Sequence, residues 1–316
     1  MSPVHSEEDS SPVDYAVLGT EQRNPRSLEL DRLSTEEILR LINEEDRRVP
    51  EAVAAEIPNI ARAVDQVVRA LRAGGRVIYV GAGTSGRVGL LDALEWPPTF
   101  GVDPEAIRAV VAGGASAAIE AASPFEDDAA AGAAEIAGLG AGPRDVVVGI
   151  AASGVTPFVV GAVQEARRRG CVIVGLSNVP GSLLAEAADV AITPVVGPEV
   201  LTGSTRMKAG TSQKLVLNML STAAMVRLGK VYSNLMVDLS PRNRKLVARA
   251  QRIVAEATGL NLETSSRLLE QSGGRAKVAI VMGLAGVGRE EAERLLACAG
   301  GLVREAVRQG RDAGRR

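Results

Sequence analysis

The chain has 316 residues, of which 46% are hydrophobic and 23% are charged, so a wholly disordered or fibrous protein is excluded. Lysine and arginine number 36 against 38 aspartates and glutamates, and the net charge of −2 provides no field that would recruit nucleic acid or a membrane surface. The length predicts two units, or one large unit with an appendage.

Few residues suit metal or nucleophilic chemistry. Cys171 and Cys298 lie in apolar stretches and share no short spacing, which favours core packing over a disulfide or zinc site. The single histidine, His5, lies in a polar tail, which argues against a metal site or a serine triad. The chain has no apolar run of about 18 residues and no signal-peptide pattern, so we expect a cytoplasmic protein.

Residues 1–19 are polar and contain prolines, and we expect a disordered tail there. Ser34 followed by Glu37 matches a capping box that begins a helix over STEEILRLINEEDRR. Pro50 suits the first turn of another helix that runs to about Leu71. Two helices are therefore predicted before any strand.

From Gly75 the pattern changes to short apolar runs, each closed by a small or turn-forming residue and followed by a helical segment. The runs are Arg76–Val80, Ile107–Ala112, Asp145–Ile150, Cys171–Leu176 and Val190–Pro194. Strands that alternate with helices predict a five-stranded parallel, doubly wound α/β sheet, flavodoxin-like or related, with helices on both faces.

After Thr202 the strand pattern stops, and one long helix is predicted over the segment that ends at Lys230. Amphipathic helical segments follow, separated by glycines, with no convincing internal repeat. The predicted organisation is a tail at 1–19, a catalytic unit at 20–238 that includes the first helices, and a helical subdomain at 239–316.

The loop after the first predicted strand carries the strongest local signal. Glycines at 81, 83 and 86 match G-x-G-x-x-G, a pattern that occurs in dinucleotide-binding sites. Such a site needs an acidic residue after the second strand, whereas Glu105 precedes it. Thr84 and Ser85 place hydroxyls at a helix amino terminus, which favours a phosphate monoester. A sugar phosphate is therefore preferred over a dinucleotide.

The third strand ends in a similar turn, with Ser153, Gly154 and Thr156 before a helix. One such turn could be ordinary helix capping, because serine and threonine are common caps. Two turns of this kind in one sheet favour a phosphosugar site at its carboxyl edge.

Segments that match one known protein family extend along most of the chain. They begin with TEQRNP at Thr20, continue through GAGTSGR, PPTFGV, DVVVGIAASG, PVVGPEV, TGSTRMKAGT and QKLVLNMLST, and end with GKVYSNLMVD at Asp238. On these motifs the chain resembles the SIS domain family of phosphosugar-binding proteins, and within it the N-acetylmuramic acid 6-phosphate etherases. The resemblance implies a lyase of peptidoglycan amino-sugar recycling that needs no cofactor, and a homodimer.

The resemblance places two catalytic glutamates on Glu95 and Glu126. Without it, each would be read as a surface carboxylate. In this family Glu95 would move the C2 proton, while Glu126 would assist lactate departure and activate water. A raised pKa would suit the base, and burial beside Trp96 is one way to produce it.

Other polar residues were weighed in the same way. The resemblance places Ser204, Thr205 and Arg206 at the sugar-phosphate pocket, together with Thr84, Ser85, Gly86, Ser153, Gly154 and Thr156. Glu199 could contact sugar hydroxyls or cap a turn, with equal weight. Ser177 and Asn178 favour a turn.

Three positions depart from the family pattern. Trp96 follows Glu95 where the family usually has cysteine, Ala115 follows a Gly-Gly pair where it has an acid, and Val155 replaces an arginine. The last change removes one candidate cation for the substrate carboxylate. Two other functions stay open: a phosphosugar aldose–ketose isomerase, and a non-catalytic regulator similar to glucokinase regulatory protein, which has tandem domains.

Overall fold

The computed structural model describes residues 17–114, 124–239 and 244–313. Its centre is a parallel sheet of five strands, which are β1 Val77–Gly81, β2 Ile107–Val111, β3 Val146–Ile150, β4 Val172–Leu176 and β5 Val190–Ile192. Their order is β2-β1-β3-β4-β5, the flavodoxin-like order. The expected sheet and its strands are confirmed.

Helices cover both faces of the sheet because successive strand residues point to opposite sides. Tyr79 and Val148 face a core shared with α3, α4 and α8, while Ile78 and Val147 face α5 and α6. The helices up to this point in the chain are α1 Thr35–Asp46, α2 Arg48–Ala55, α3 Ile57–Arg72, α4 Gly83–Phe100, α5 Ala129–Gly138, α6 Pro157–Arg168, α7 Leu183–Glu186 and α8 Lys208–Arg227.

The start of the chain is partly as expected. Residues 1–16 of the expected tail lie outside the described residues, and Leu18 is already buried. The capping box of α1 is present, since Glu37 N donates to Ser34 Oγ and Ser34 N donates to Glu37 Oε2. The single helix expected from Pro50 to Leu71 is wrong. Two helices occur, because Pro58 has no N–H and fits only the first turn of a new helix.

A short hairpin and five helices follow α8. The hairpin pairs β6 Val231–Tyr232 with β7 Leu235–Met236, and the helices are α9 Arg244–Thr258, α10 Leu262–Gln271, α11 Ala276–Ala285, α12 Arg289–Cys298 and α13 Val303–Ala313. They bury a core of their own that includes Val254, Ile280 and Leu296. No helix in the described ranges is long and apolar enough to cross a membrane.

This helical region repeats one unit, contrary to the sequence-based expectation. Four glycines recur at a constant spacing, with Gly259, Gly273, Gly274 and Gly283 followed by Gly286, Gly300, Gly301 and Gly310. A Cβ on Gly283 would lie 3.1 Å from Leu268 Cδ1, and one on Gly310 would lie 3.0 Å from Leu295 Cδ1. Leu268 and Leu295 are separated by the same number of residues as the paired glycines. The helix pairs α10–α11 and α12–α13 are therefore two copies of one tightly packed hairpin.

A buried ion pair joins the start of the chain to α8. Lys208 Nζ donates to Glu45 Oε2 at 2.7 Å, and both side chains are 1% exposed. Arg26 and Asn24 donate to the same carboxylate. Burial alone would raise the pKa of Glu45, but the hydrogen bonds from Lys208, Arg26 and Asn24 outweigh it and lower this pKa to about 2. The pair therefore fixes the first turn of α8 against α1.

We expect Lys208→Met to lower the free energy of unfolding by about 3–5 kcal/mol, because Glu45 would keep its buried charge without its closest cation. Urea denaturation at pH 7 measures the change. Arg40→Met is the matched control. It breaks an ion pair with Glu36 whose side chains are 73% and 74% exposed, and it is expected to cost about 1 kcal/mol at most.

The difference in stability between the wild type and Lys208→Met should also depend on pH. A folded-state pKa below the ordinary value means that the ionised Glu45 stabilises the protein fully above about pH 4.5 and progressively less toward pH 2. The stability gap between the wild type and Lys208→Met should therefore narrow over this range. A gap that is small at pH 7, or one that grows in acid, would contradict the role assigned to the pair.

Candidate functional site

The strand order creates one crevice at the carboxyl edge of the sheet. The chain passes from β1 to its outer neighbour β2 and then returns to β3 on the other side of β1. Ligands of open parallel sheets bind at such a switch point, where the loops after the two central strands diverge. Here the turn into α4 at residues 82–86 and the loop at residues 151–156 lie at these positions, and both are expected to hold a phosphosugar.

Glycines bring the backbone of the first loop close to β1. A Cβ on Gly81 would lie 2.7 Å from Gly86 N, and a Cβ on Gly86 would lie 2.7 Å from Gly81 O. Gly83 has φ +50°, a conformation that side-chain-bearing residues rarely adopt. Larger residues at these positions would separate α4 from the strand, so the glycine spacing serves close packing and a tight turn.

The amino terminus of α4 is open to an anion, unlike those of α5 and α7. Its N-cap residue is Ala82, whose side chain cannot accept a hydrogen bond from the first amides of the helix. Asp128 and Ser182 cap α5 and α7. Thr84 is half-buried and Ser85 buried at the open end. Free amides, the helix dipole and two hydroxyls together suit a phosphate group.

The loop after β3 also places hydroxyl groups at a helix amino terminus that lacks a side-chain cap bond. Ser153 Oγ accepts a hydrogen bond from Val155 N at 3.3 Å, and Thr156 is the N-cap of α6 without a side-chain cap bond. Gly154 has φ +71°, and a Cβ there would lie 2.1 Å from Ser182 Oγ. A larger residue could not occupy this position, so the turn is fixed by its contact with the loop after β4.

The segment before α8 lies alongside the phosphate loop. Gly210 N donates to Thr205 O at 2.9 Å, and a Cβ on Gly210 would lie 3.2 Å from Thr84 Cγ2. Met207 N donates to Ser204 O, while the Arg206 side chain is exposed. The structure therefore brings the Ser204–Arg206 stretch next to the Thr84–Gly86 stretch, although the sequence separates them by more than one hundred residues.

Glu199 is a helix cap. Its carboxylate accepts from Lys208 N at 3.0 Å and from Ala209 N at 2.9 Å, so it occupies the first amides of α8. Burial raises its pKa more than the two backbone N–H groups lower it. Asn178 is also structural, since its Nδ2 donates to Pro194 O and Ser212 Oγ. Of the two readings weighed for Glu199, the structure supports capping.

Glu126 lies at the open end of α4. Its Oε1 is 3.0 Å from the position that a Cβ on Gly83 would occupy. Burial raises its pKa, the charge of Asp127 raises it further, and Arg87 lowers it. A half-buried carboxyl with a raised pKa beside an anion site is suited to proton transfer.

Glu95 is on the same helix but far from this end. It lies about three turns beyond Gly83, which is about 18 Å at 1.5 Å per residue. Its side chain is exposed. Trp96 does not cover this side chain, because the indole packs into the core. The two predicted glutamates are therefore not brought together within one chain.

The three departures from the family pattern have different structural outcomes. Trp96 is 1% exposed and packs edge-on against Tyr79 with ring centroids 6.3 Å apart, so the indole fills core space. Val155 is also buried, at 6% exposure. Ala115 lies outside the described residues.

Three residues of structural importance here were missed from the sequence. Lys208 follows the Ser204–Arg206 stretch, where the sequence allows it to be a solvated cation, whereas Gly210 and Asp92 are not singled out by the sequence. Lys208 and Gly210 act through contacts with residues that are distant in the sequence, and such contacts leave no local sequence pattern. Asp92 did leave one, because an acid one helical turn before a tryptophan can bond to the indole N–H.

Two family descriptions match the chain. The glucokinase regulatory protein N-terminal SIS domain matches residues 59–167, and the SIS domain matches residues 138–223. Together they cover the sheet and most of α8, which agrees with the observed fold.

Relatives along nearly the whole chain are closer. The N-acetylmuramic acid 6-phosphate etherase of Rubrobacter xylanophilus is 56% identical over 294 residues, 93% of this chain and 97% of that protein. The etherase of Symbiobacterium thermophilum is 59% identical, covering 85% and 90%, and that of Klebsiella aerogenes is 52% identical, covering 93% and 98%. Such identity over such coverage favours neither an isomerase nor a tandem-domain regulator. The chain belongs to the N-acetylmuramic acid 6-phosphate etherase family.

Proposed function

We propose that this protein cleaves the D-lactyl ether of N-acetylmuramic acid 6-phosphate and releases N-acetylglucosamine 6-phosphate and D-lactate. The observation that carries the proposal is the open amino terminus of α4, with the carboxyl of Glu126 against its first residue. An anion site and a proton-transfer group at one helix end suit a phosphosugar whose reactive carbons are a few bonds from its phosphate.

The phosphate would bind where the amides of α4 are free. Thr84 and Ser85 add hydroxyl donors, and Ser204 and Thr205 border the same loop through the contact of Gly210 with Thr84. The loop with Ser153, Gly154 and Thr156 follows the neighbouring strand and would contact the sugar. In this proposal Thr84, Ser85, Ser204 and Thr205 surround the phosphate, and Ser153, Gly154 and Thr156 face the sugar.

The chemistry needs two proton-transfer groups and no further reagent than water. Opening of the sugar ring makes C1 an aldehyde, which acidifies the proton on C2. A base removes that proton, the C3–O bond breaks, and lactate leaves with a proton from an acid. Water then adds at C3 and a proton returns to C2, so one water is consumed overall. Each transfer by a positioned group contributes about 10²–10⁴ in rate.

Glu126 has the properties of the acid that protonates the departing lactate. Its raised pKa keeps the carboxyl protonated to a higher pH than that of an exposed glutamate. After lactate leaves, the resulting carboxylate can accept a proton from the incoming water. The base at C2 would be Glu95, following the family pattern.

A second copy of the chain would supply Glu95. The separation of about 18 Å along α4 exceeds what two glutamate side chains can span on one sugar. The face of α4 that bears Glu95 also exposes Leu91 and Leu94, at 50% and 64%, and α8 beside it exposes Met219 and Val226. We therefore propose a homodimer in which this apolar face is covered and the site is shared.

The chain also divides into two packed units. The sheet core includes residues between Val53 and Met225, whereas the second core includes residues between Val237 and Val307. We propose that residues 20–238 bind and convert the sugar phosphate and that residues 239–316 form a helical subdomain. The cytoplasmic location stays a prediction from the sequence.

Turnover in D₂O tests the elimination. The N-acetylglucosamine 6-phosphate formed should carry deuterium on C2, because the proton removed there exchanges with solvent. Glu95→Gln should abolish both lactate release and exchange at C2, and NMR measures both. Release of lactate without label on C2 would contradict elimination and indicate direct displacement.

Mixed oligomers test the shared site. Glu95→Gln and Glu126→Gln should each be inactive alone, whereas a refolded equimolar mixture should recover about a quarter of the wild-type activity, because half of the dimers contain one site with both carboxyls. Each variant refolded alone is the control. No recovery from a mixture shown to contain heterodimers would mean that both glutamates act from one chain.

The pH profile tests the role of Glu126. Asp127→Asn removes a charge that raises the pKa of Glu126, so the limb of kcat/KM that reports this group should move to lower pH. Arg87→Met should move it to higher pH. Glu105→Gln removes an exposed acid before β2 and should leave the profile unchanged. A limb that ignores both neighbours would assign the titration to another group.

A further inference from the structure

A buried carboxylate next to the proposed base has no part in the reaction as described. Asp92 is 4% exposed and lies on α4, one turn before Glu95 and Trp96. Its environment is apolar apart from the groups that bond to it. A carboxylate in such a place is costly, and a leucine there would pack without that cost.

Asp92 connects three elements. Its Oδ2 accepts from Tyr79 Oη and from Trp96 Nε1, both at 3.0 Å. Its Oδ1 accepts from Ser221 Oγ at 3.2 Å, and Lys214 Nζ lies 3.7 Å from the same oxygen. Tyr79 is on β1, and Ser221 and Lys214 are on α8. The carboxylate therefore fastens the last part of α4 to the strand and to the neighbouring helix.

The turn that carries Glu95 lacks ordinary helical support. Pro97 and Pro98 lie inside α4 and have no N–H, so the carbonyls of Ala93 and Leu94 have no helical donor. The bond from Trp96 to Asp92 spans this weakened turn from within. It replaces missing backbone bonds with a side-chain bond that is anchored outside the helix.

We propose that Asp92 is a positioning residue for the proposed base: by holding Trp96 through its indole N–H, it fixes the proline-containing turn that presents Glu95. This inference rests on the proposed function, because it takes Glu95 as the group that acts on C2. It also concerns a departure from the family pattern, since Trp96 stands where the family usually has cysteine.

The energetics agree with a role in orientation. Burial raises the pKa of Asp92, and the bonds from Trp96, Tyr79 and Ser221 and the charge of Lys214 compensate only in part. The ionised carboxylate of Asp92 therefore does not by itself stabilise the folded state. Neutral donors with fixed directions set the geometry of the carboxylate and of the two rings that it joins.

Steady-state kinetics with N-acetylmuramic acid 6-phosphate test the proposal. Asp92→Leu should lower kcat by about 100-fold and leave KM within about threefold, because the phosphate end of α4 is unchanged while Glu95 moves by about 1 Å. Asp92→Asn, which can keep its carbonyl oxygen toward Trp96 and Tyr79, should retain kcat within about threefold of the wild type.

Fluorescence provides an independent readout, because Trp96 is the only tryptophan in the chain. Its emission should change in Asp92→Leu and stay close to the wild type in Asp92→Asn. If Asp92→Leu does not fold, as judged by circular dichroism, Trp96→Phe decides. It removes the N–H donor and leaves a smaller aromatic ring in its place, and kcat should fall by about tenfold at constant KM.

The outcomes separate the two proposals. An inactive wild type, or a fully active Glu95→Gln, would overturn the proposed function whatever Asp92 does. An active wild type and an inactive Glu95→Gln, together with unchanged kcat in folded Asp92→Leu or in Trp96→Phe, would overturn the positioning role alone. A rise in KM as large as the fall in kcat would also overturn it, since it would indicate general distortion.

Discussion

The close packing of α4 on β1 is the constraint on which the candidate site depends. Gly81 and Gly86 lie so near each other that a Cβ on either would collide with the backbone of the other. This contact brings the first amides of α4 to the switch point between β1 and β3. A wider spacing would leave the amides facing solvent, where water would satisfy them and screen the helix dipole.

The same helix also separates the two proposed reacting groups. The carboxyl of Glu126 lies beside its first residue, and its last turns present Glu95 on an apolar outer face. One rigid helix therefore cannot deliver both carboxyls to one substrate. Under the roles proposed for Glu95 and Glu126, the length of α4 calls for a second copy of the chain, and the exposed Leu91 and Leu94 would lie at the interface between the copies.

Most of the sheet and the phosphate loops could be predicted from the sequence, because both follow from local patterns. Apolar runs closed by small or turn-forming residues gave the strands, and Thr84 and Ser85 at a helix start gave the anion site. The pairing of Lys208 with Glu45 could not be predicted, since the partners are distant in the chain and each is an ordinary charged residue alone. The repeat of the helical hairpin is visible in the glycine spacing, but other positions diverge, including buried ones such as Val281, which corresponds to Arg308.

Helix α8 carries buried polar residues that hold it to the neighbouring elements. It passes between the sheet and the outer layer, yet it buries Lys208, Ser212, Gln213 and Ser221. Each of its three acidic partners is bound by a different kind of group. Glu45 is bound mainly by cations, Glu199 by backbone amides and Asp92 mainly by neutral side-chain donors. Because these bonds are directional, they fix both the rotation and the register of α8, which apolar packing alone fixes less well. That register sets Gly210 against Thr84 at one end of the site and Ser221 against Asp92 further along. The buried polar groups of α8 thus tie the geometry of the anion site to that of the proposed base.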